Sequence, residues 1–252
     1  MASSSRALVL VPWHIGSADD VTRAAAAAAR DLRLFLAEDP EETKRVFIEN
    51  LRVDCAEKEF LKIPASENER FLEDVGARLN GEDVGLISSS GIPCFLDPGA
   101  WLVRRLRALD VPIRALAGPS ILSTMLSLSG LEWAQAQHVG TFAFYLEGRS
   151  RRELLRAVRR ADPIFIFLRA DRFRECLEHI GPAVGERLVS AFLDLTKRPL
   201  ADYPYADRVS TMSVGDWLKD SSVRWDRVSD VSLMVHPRQR RLPGSASRAP
   251  RG

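Results

Sequence analysis

Residues 83–130 read DVGLISSSGIPCFLDPGAWLVRRLRALDVPIRALAGPSILSTMLSLSG, and their order decides the fold. The apolar run Val84-Gly85-Leu86-Ile87 lacks the polar alternation of a half-exposed strand, which fits a parallel strand covered on both faces. It stops at four small residues, Ser88 to Gly91, as a strand does where backbone must approach a ligand closely. Asp97-Pro98 then reads as a helix start, with Asp97 as N-cap and Pro98 at the first helical position. A second strand, 112–116, ends at Gly118-Pro119-Ser120, again a small-residue turn into a helix. Two adjacent strand ends with open turns predict a crevice at the carboxyl edge of a sheet, where α/β folds bind ligands. The same loops also describe two ordinary βα connections.

Working outward, strands at 7–11, 32–37, 60–63, 83–88 and 112–116 alternate with helices at 19–30, 40–50, 66–79, 98–109 and 119–128. That alternation predicts a parallel sheet with helices on both faces. Ser66 and Glu69 have the spacing of a capping box. Glu38-Asp39 before Pro40 read as a helix N-terminus rather than as substrate ligands. A domain boundary is expected at Gly118-Pro119, dividing the chain into 1–118, 119–236 and a basic, disordered tail at 237–252. The second part is read as strands at 138–145, 163–168, 187–194, 207–213 and 231–235. Helices at 149–160 and 171–180 and a helical turn at 213–218 complete it.

Composition narrows the function classes. The chain has 252 residues, 46% hydrophobic and 28% charged, which is ordinary for a soluble globular protein. No run approaches the length of a membrane span, and the apolar stretch after Met1 is one strand long rather than a leader. Cys55, Cys94 and Cys176 stand apart, without metal or redox spacing, so a cytoplasmic protein without a metal is expected. There is neither a G-x-G-x-x-G fingerprint nor a P-loop, which argues against dinucleotide and ATP enzymes. Arginines gather at 104, 105 and 107, at 149–160 and in the tail. They read as solvated faces in preference to a phosphate-binding surface, and no RNP motif accompanies them.

The loops carry a family resemblance. Ser88-Ser89-Ser90-Gly91-Ile92-Pro93-Cys94-Phe95-Leu96-Asp97-Pro98-Gly99 resembles the S-[DE]-A-G-x-P-x-x-x-D-P-G frame of the tetrapyrrole methylase superfamily. Gly118-Pro119-Ser120 and Ser129-Gly130 follow in step, and Pro12-Trp13-His14-Ile15-Gly16 resembles the family's first loop. The frame is most similar to that of the bacterial 16S ribosomal RNA ribose-2′-O-methyltransferases and their uncharacterised relatives. The resemblance implies a two-domain α/β fold, the N-terminal sheet parallel and the C-terminal sheet mixed. It also implies an S-adenosylmethionine-dependent methyltransferase, usually a homodimer, with a ribosomal RNA ribose 2′-hydroxyl or a small molecule such as a tetrapyrrole as acceptor. The cofactor would meet Pro12, Ser89, Ser90, Gly91, Ile92, Pro93, Pro119, Ser120, Leu168 and Ala191.

Departures fall on the acceptor side. Ser89 stands where that branch has Asp or Glu, and Leu168 where it has Glu. The segment Ile166 to Arg172 keeps Arg172 but loses the proline, while Phe192 to Lys197 keeps Asp194 and Leu-Thr-Lys. The G-[FY]-L-P loop is shortened to Phe144-Tyr145-Leu146-Glu147-Gly148. The catalytic candidates are His14, Arg172 and Asp194. The competing reading is a degenerate methylase fold serving as a binding or interaction module. Trp13 is read as a cap on the sheet, Trp101, Trp217, Leu122, Met125, Leu126 and Leu128 as packing, and His138 and His179 as ordinary.

Overall fold

The computed structural model describes residues 6–131, 141–145, 151–160, 163–200, 203–204 and 206–237. The strand and helix readings at 132–140 and 146–150, with His138 and the shortened loop, and the tail from 238 lie outside the described residues. The chain divides into two compact units, Met1–Met125 with Thr196–Arg198, and Leu126–Leu195 with Pro199–Gly252.

The first unit runs β1 (Leu8–Val11), α1 (Arg23–Asp31), β2 (Leu34–Ala37), α2 (Pro40–Leu51), β3 (Glu59–Lys62), α3 (Glu69–Leu79), β4 (Val84–Ile87), α4 (Ala100–Ala108) and β5 (Ile113–Ala115). All five strands pair in parallel in the order β3-β2-β4-β1-β5. Side chains alternate across the sheet. Leu8, Leu34, Leu36, Val84 and Leu86 pack with α3 and α4, whereas Val9, Val11, Phe35, Ala37 and Ile87 pack with α1 and α2. Both faces are covered, so the strands read as unbroken apolar runs. Gly85 makes room for the Phe35 ring, since a Cβ there would lie 2.7 Å from its Cδ1.

Helix starts depart from the sequence reading in three places. A 3-10 turn at Ala18–Asp20 comes first, and Thr22 caps α1 by accepting from the Ala25 amide at 3.2 Å. Asn68, not Ser66, caps α3, accepting from the Phe71 amide at 2.9 Å, so the expected capping box does not form. Helix α4 begins at Ala100 behind Gly99, whose φ of +117° turns the chain, and no side chain caps it. Asp97 is therefore free of the capping role assigned to it. Asp39 does cap α2, with Pro40 in its first turn.

The unit boundary falls within α5 (Ile121–Leu128). The second unit contains β6 (Thr141–Tyr145), α6 (Arg151–Arg160), β7 (Ile164–Arg169), α7 (Phe173–Val184), β8 (Val189–Leu193), β9 (Arg208–Met212), α8 (Val214–Lys219) and β10 (Asp230–Val235). The strand order is β6-β7-β10-β8-β9, with β6 parallel to β7 and the other pairs antiparallel. Leu154 and Val158 of α6, Leu177 and Ile180 of α7 and Trp217 of α8 join Ile164, Ile166 and Leu233 in one core. Arg187 is buried and donates to the carbonyls of Val158 (2.6 Å), Ala183 (3.2 Å) and Val184 (3.2 Å), which tie off the ends of α6 and α7. Among the described residues no helix is long and apolar enough to cross a membrane.

Candidate functional site

In the first sheet β1 and β4 are neighbours, but their connections leave to opposite faces, β1 into α1 and β4 into α4. This is the strand-order reversal at which an open α/β sheet forms a crevice beyond its carboxyl ends. The loops on either side of it are held together by backbone. The Trp13 amide donates to the Gly91 carbonyl at 2.7 Å, and the Gly91 amide returns a bond to the His14 carbonyl at 3.1 Å. Gly91 has a φ of +69°, and a Cβ there would meet Ile15 Cγ2 at 3.3 Å. The third loop closes on the first, because a Cβ on Gly118 would lie 2.3 Å from Pro12 Cβ and Cγ. Pro12, Gly91 and Pro119 are thereby brought together, with Ser89, Ser90 and Ile92 exposed on the rim and Pro93 and Ser120 half-buried.

Loops 12–16, 88–93 and 117–120 carry no lysine or arginine. Their donors are hydroxyls and backbone amides, a set suited to a ligand that brings its own charges and ill suited to a polyphosphate.

Ser88, buried at the end of β4, is the hinge of the middle loop. Its hydroxyl contacts both Asp97 Oδ2 and the Ser90 carbonyl (2.6 Å), and accepts from the Ser90 amide at 3.2 Å. Burial pushes the Asp97 carboxyl up to about 6, against the Ser88 hydrogen bond and with a contribution from Glu38. Burial, with Asp97 adding to it, likewise pushes the Cys94 thiol up to about 11.

Beside the crevice a cavity of about 120 Å³ is lined by Trp13, His14, Thr43, Phe47, Ile87 and Ser88, among others. His14 Nδ1 is buried there without a hydrogen-bond partner, and Asp20 Oδ2 is a second buried atom in the same condition. Burial lowers the His14 pKa, with Asp20 opposing, so the ring is neutral at neutral pH. Trp13 is buried and packs on Phe47 with ring centroids 5.5 Å apart, as a cap on the sheet.

The remaining candidates lie in the second unit. Leu168 and Ala191 are core residues of that unit, on β7 and β8, with β10 between the two strands. Their side chains pack inward within it. Asp194 is 1% exposed, and its carboxylate accepts from the Tyr203 hydroxyl, Ser229 Oγ (2.6 Å), the Ser229 amide (3.2 Å) and the Asp230 amide (3.0 Å). Such a carboxylate, with charge-assisted hydrogen bonds on both oxygens, holds the loop after β8. Arg172 donates to Glu175 at 2.7 Å. Glu175, which also accepts from Tyr145 and Arg151, is held below the usual carboxylate range, chiefly by Arg172. His179 Nε2 contacts the Arg151 carbonyl at 3.2 Å. Sequence reasoning missed Ser88 and Asp97 because Asp-Pro looks like a helix start. Their signal lay in the spacing of a hydroxyl at a strand end and an acid nine residues on.

The comparisons bear on the fold and the family. The family model for tetrapyrrole (corrin/porphyrin) methylases matches residues 7–198. Ribosomal RNA small subunit methyltransferase I of Micromonospora olivasterospora is 31% identical over 196 residues, covering 77% of this chain but 61% of that protein. The protein of that name from Thermotoga maritima is 27% identical over 192 residues, 75% of this chain and 83% of the relative. Among solved structures, the methyltransferase CobJ superposes with a TM-score of 0.62 at 14% identity, covering 92% of this chain and 95% of its own. Uroporphyrin III C-methyl transferase from Thermus thermophilus gives 0.55 at 17% identity, over 91% and 92%. With the parallel sheet, the mixed second sheet and the family model in agreement over most of its length, this chain belongs to the tetrapyrrole (corrin/porphyrin) methylase family.

Proposed function

We propose that the chain is an S-adenosylmethionine-dependent methyltransferase whose cofactor is held at the β1/β4 crevice. The observation that carries this reading is the three-loop clasp of Pro12 to Ile15, Ser88 to Gly91 and Gly118-Pro119, in a chain of this family. The donor set fits the group: exposed hydroxyls at Ser89 and Ser90 and the apolar Ile92 suit an adenosine, and the lack of cations suits a ligand bearing its own sulfonium and ammonium charges. S-adenosylmethionine, when bound, supplies an already activated methyl group. The chain's task is then to orient an acceptor and exclude water from it. His14, whose Nδ1 has no hydrogen-bond partner and whose pKa burial lowers, is the residue proposed to take a proton from an acceptor hydroxyl.

The acceptor is proposed to be small-subunit ribosomal RNA, on the strength of the relatives' names, at a ribose hydroxyl as the resemblance of the loops implies, with a small molecule as the other class. A cytoplasmic homodimer is part of the same proposal. A second reading, a methylase fold that has lost its chemistry, is favoured by Ser89 and Leu168 in place of acids and by the fully engaged Asp194. Calorimetric titration with S-adenosylmethionine and S-adenosylhomocysteine tests the first reading. Micromolar binding, followed by transfer of labelled methyl to small-subunit ribosomal RNA, is the expected result. Absence of binding to both ligands overturns the enzyme reading in favour of the second.

A further inference from the structure

The Ser88 hydroxyl has one proton and two acceptors in reach, Asp97 Oδ2 and the Ser90 carbonyl. When Asp97 is protonated it donates to Ser88 Oγ, and Ser88 donates onward to the Ser90 carbonyl. When Asp97 is ionised it accepts the hydrogen bond of the Ser88 hydroxyl, and the Ser90 carbonyl loses its internal donor. In both states the Ser90 amide donates to Ser88 Oγ. Ser90 lies on the exposed rim of the crevice.

We propose that Asp97 is a positioning residue for the cofactor: through the single Ser88 proton it sets whether the Ser90 carbonyl is tied inside its loop or presented to the ligand. The cofactor half of this proposal rests on the S-adenosylmethionine reading; the loop half stands on the ligand-free protein. Burial places the Asp97 proton in the range where the swap matters, with its pKa pushed up to about 6. The groups around the pair are Glu38 from the end of β2, Cys94 from the same loop, and His14 and Glu42 on the cavity wall beside Ser88. The Glu38 charge helps to keep the proton on Asp97, Asp97 in turn raises the Cys94 thiol, and neither neighbour supplies a cation. A ligand carrying hydrogen-bond donors therefore favours the carbonyl-presenting state.

The sequence holds two Ser-Gly pairs, Ser90-Gly91 and Ser129-Gly130. Labelling serine at the carbonyl carbon and glycine at nitrogen thus yields two correlated signals, one from the switch and one as internal control. In the ligand-free protein the Ser90 carbonyl shift is expected to titrate with a midpoint near 6. The Ser129 carbonyl is expected to stay flat. Asp97→Ala leaves the Ser88 proton a single acceptor and should hold Ser90 at its acid value, whereas Ser88→Ala should hold it at its alkaline value. A Ser90 carbonyl that does not titrate, or that titrates alike in Ser88→Ala, overturns the switch.

Calorimetry with S-adenosylmethionine then reads the consequence. Wild type should bind about fivefold to tenfold more tightly at pH 7.5 than at pH 5, the worth of one hydrogen bond. Asp97→Ala should bind at the weaker level throughout, and adding Ser88→Ala should restore the tighter level, a rescue that a merely structural role would not give. Failure of that rescue overturns the positioning role. No binding by any variant at any pH overturns the reading of the crevice itself, and the carbonyl titration tells that failure from failure of the switch.

Discussion

Gly118 and Gly76 would respond to one added methyl group in opposite ways. At Gly118 the methyl would enter Pro12, so Gly118→Ala must push apart two of the three loops. We expect it to lower stability by about 1–3 kcal/mol, as overpacking does, and to abolish S-adenosylmethionine binding by calorimetry. At Gly76, inside α3, nothing lies within 4 Å of the new Cβ. Gly76→Ala should raise stability by about 0.5–1 kcal/mol in urea unfolding, because glycine gives up more backbone entropy in a helix. Asp97 adds a pH signature. Its folded pKa of about 6 stands above the ordinary 3.8, so the native state binds its proton more tightly than the unfolded chain. The stability this confers is full below about 3.8 and is lost as pH rises through 6. His14 and His236, both lowered by burial, act with the opposite slope below their ordinary 6.5. The difference between wild type and Asp97→Asn isolates the aspartate: wild type should gain on Asp97→Asn as pH falls from 6 to 4. A difference curve that is flat across that interval would contradict the buried-acid assignment.

At the level of elements, strands were legible in the sequence because burial on both faces leaves runs such as Leu34–Ala37 and Val84–Ile87 wholly apolar. The turns after them were legible because Gly91 and Gly118 have no substitutes: one holds a positive φ, the other touches Pro12. Helix starts were less legible, since Ser66, Asn68 and Asp97 are all competent caps by composition, and only the path of the chain selects among them. Asn68→Ala should therefore cost about 1 kcal/mol, while Ser66→Ala should leave the urea midpoint unchanged. The reverse result would restore the capping box read from spacing. The partners of Asp194 were illegible for a related reason. A sequence displays an acid, but not the three residues, Tyr203, Ser229 and Asp230, that arrive from distant positions to occupy it. Which face of β7 and β8 turns inward was illegible too, since periodicity alone does not tell a strand's inward face from its outward one.

At the scale of the molecule, the described residues form separate cores, two on the faces of the parallel sheet and one in the second unit, without a residue in common. Each unit carries its own buried reporter, Cys55 in the first and Cys176 in the second. Burial raises both thiols, Cys176 to about 12, so neither offers much thiolate near neutral pH and alkylation has to wait for opening. Leu177 is fully buried against the same core as Cys176. Leu177→Ala should cost about 2–5 kcal/mol, and under conditions where closing outruns labelling the rate follows the population of the open form. If the units open separately, alkylation of Cys176, followed by mass spectrometry, should accelerate at least about tenfold while Cys55 keeps its wild-type rate. The reciprocal truncation, Phe47→Ala in the first unit's core, should speed Cys55 and leave Cys176 alone. Equal acceleration of both thiols by either substitution would mean that the two cores melt as one cooperative body, and a stability measured for the chain would then belong to the whole of it rather than to the weaker unit.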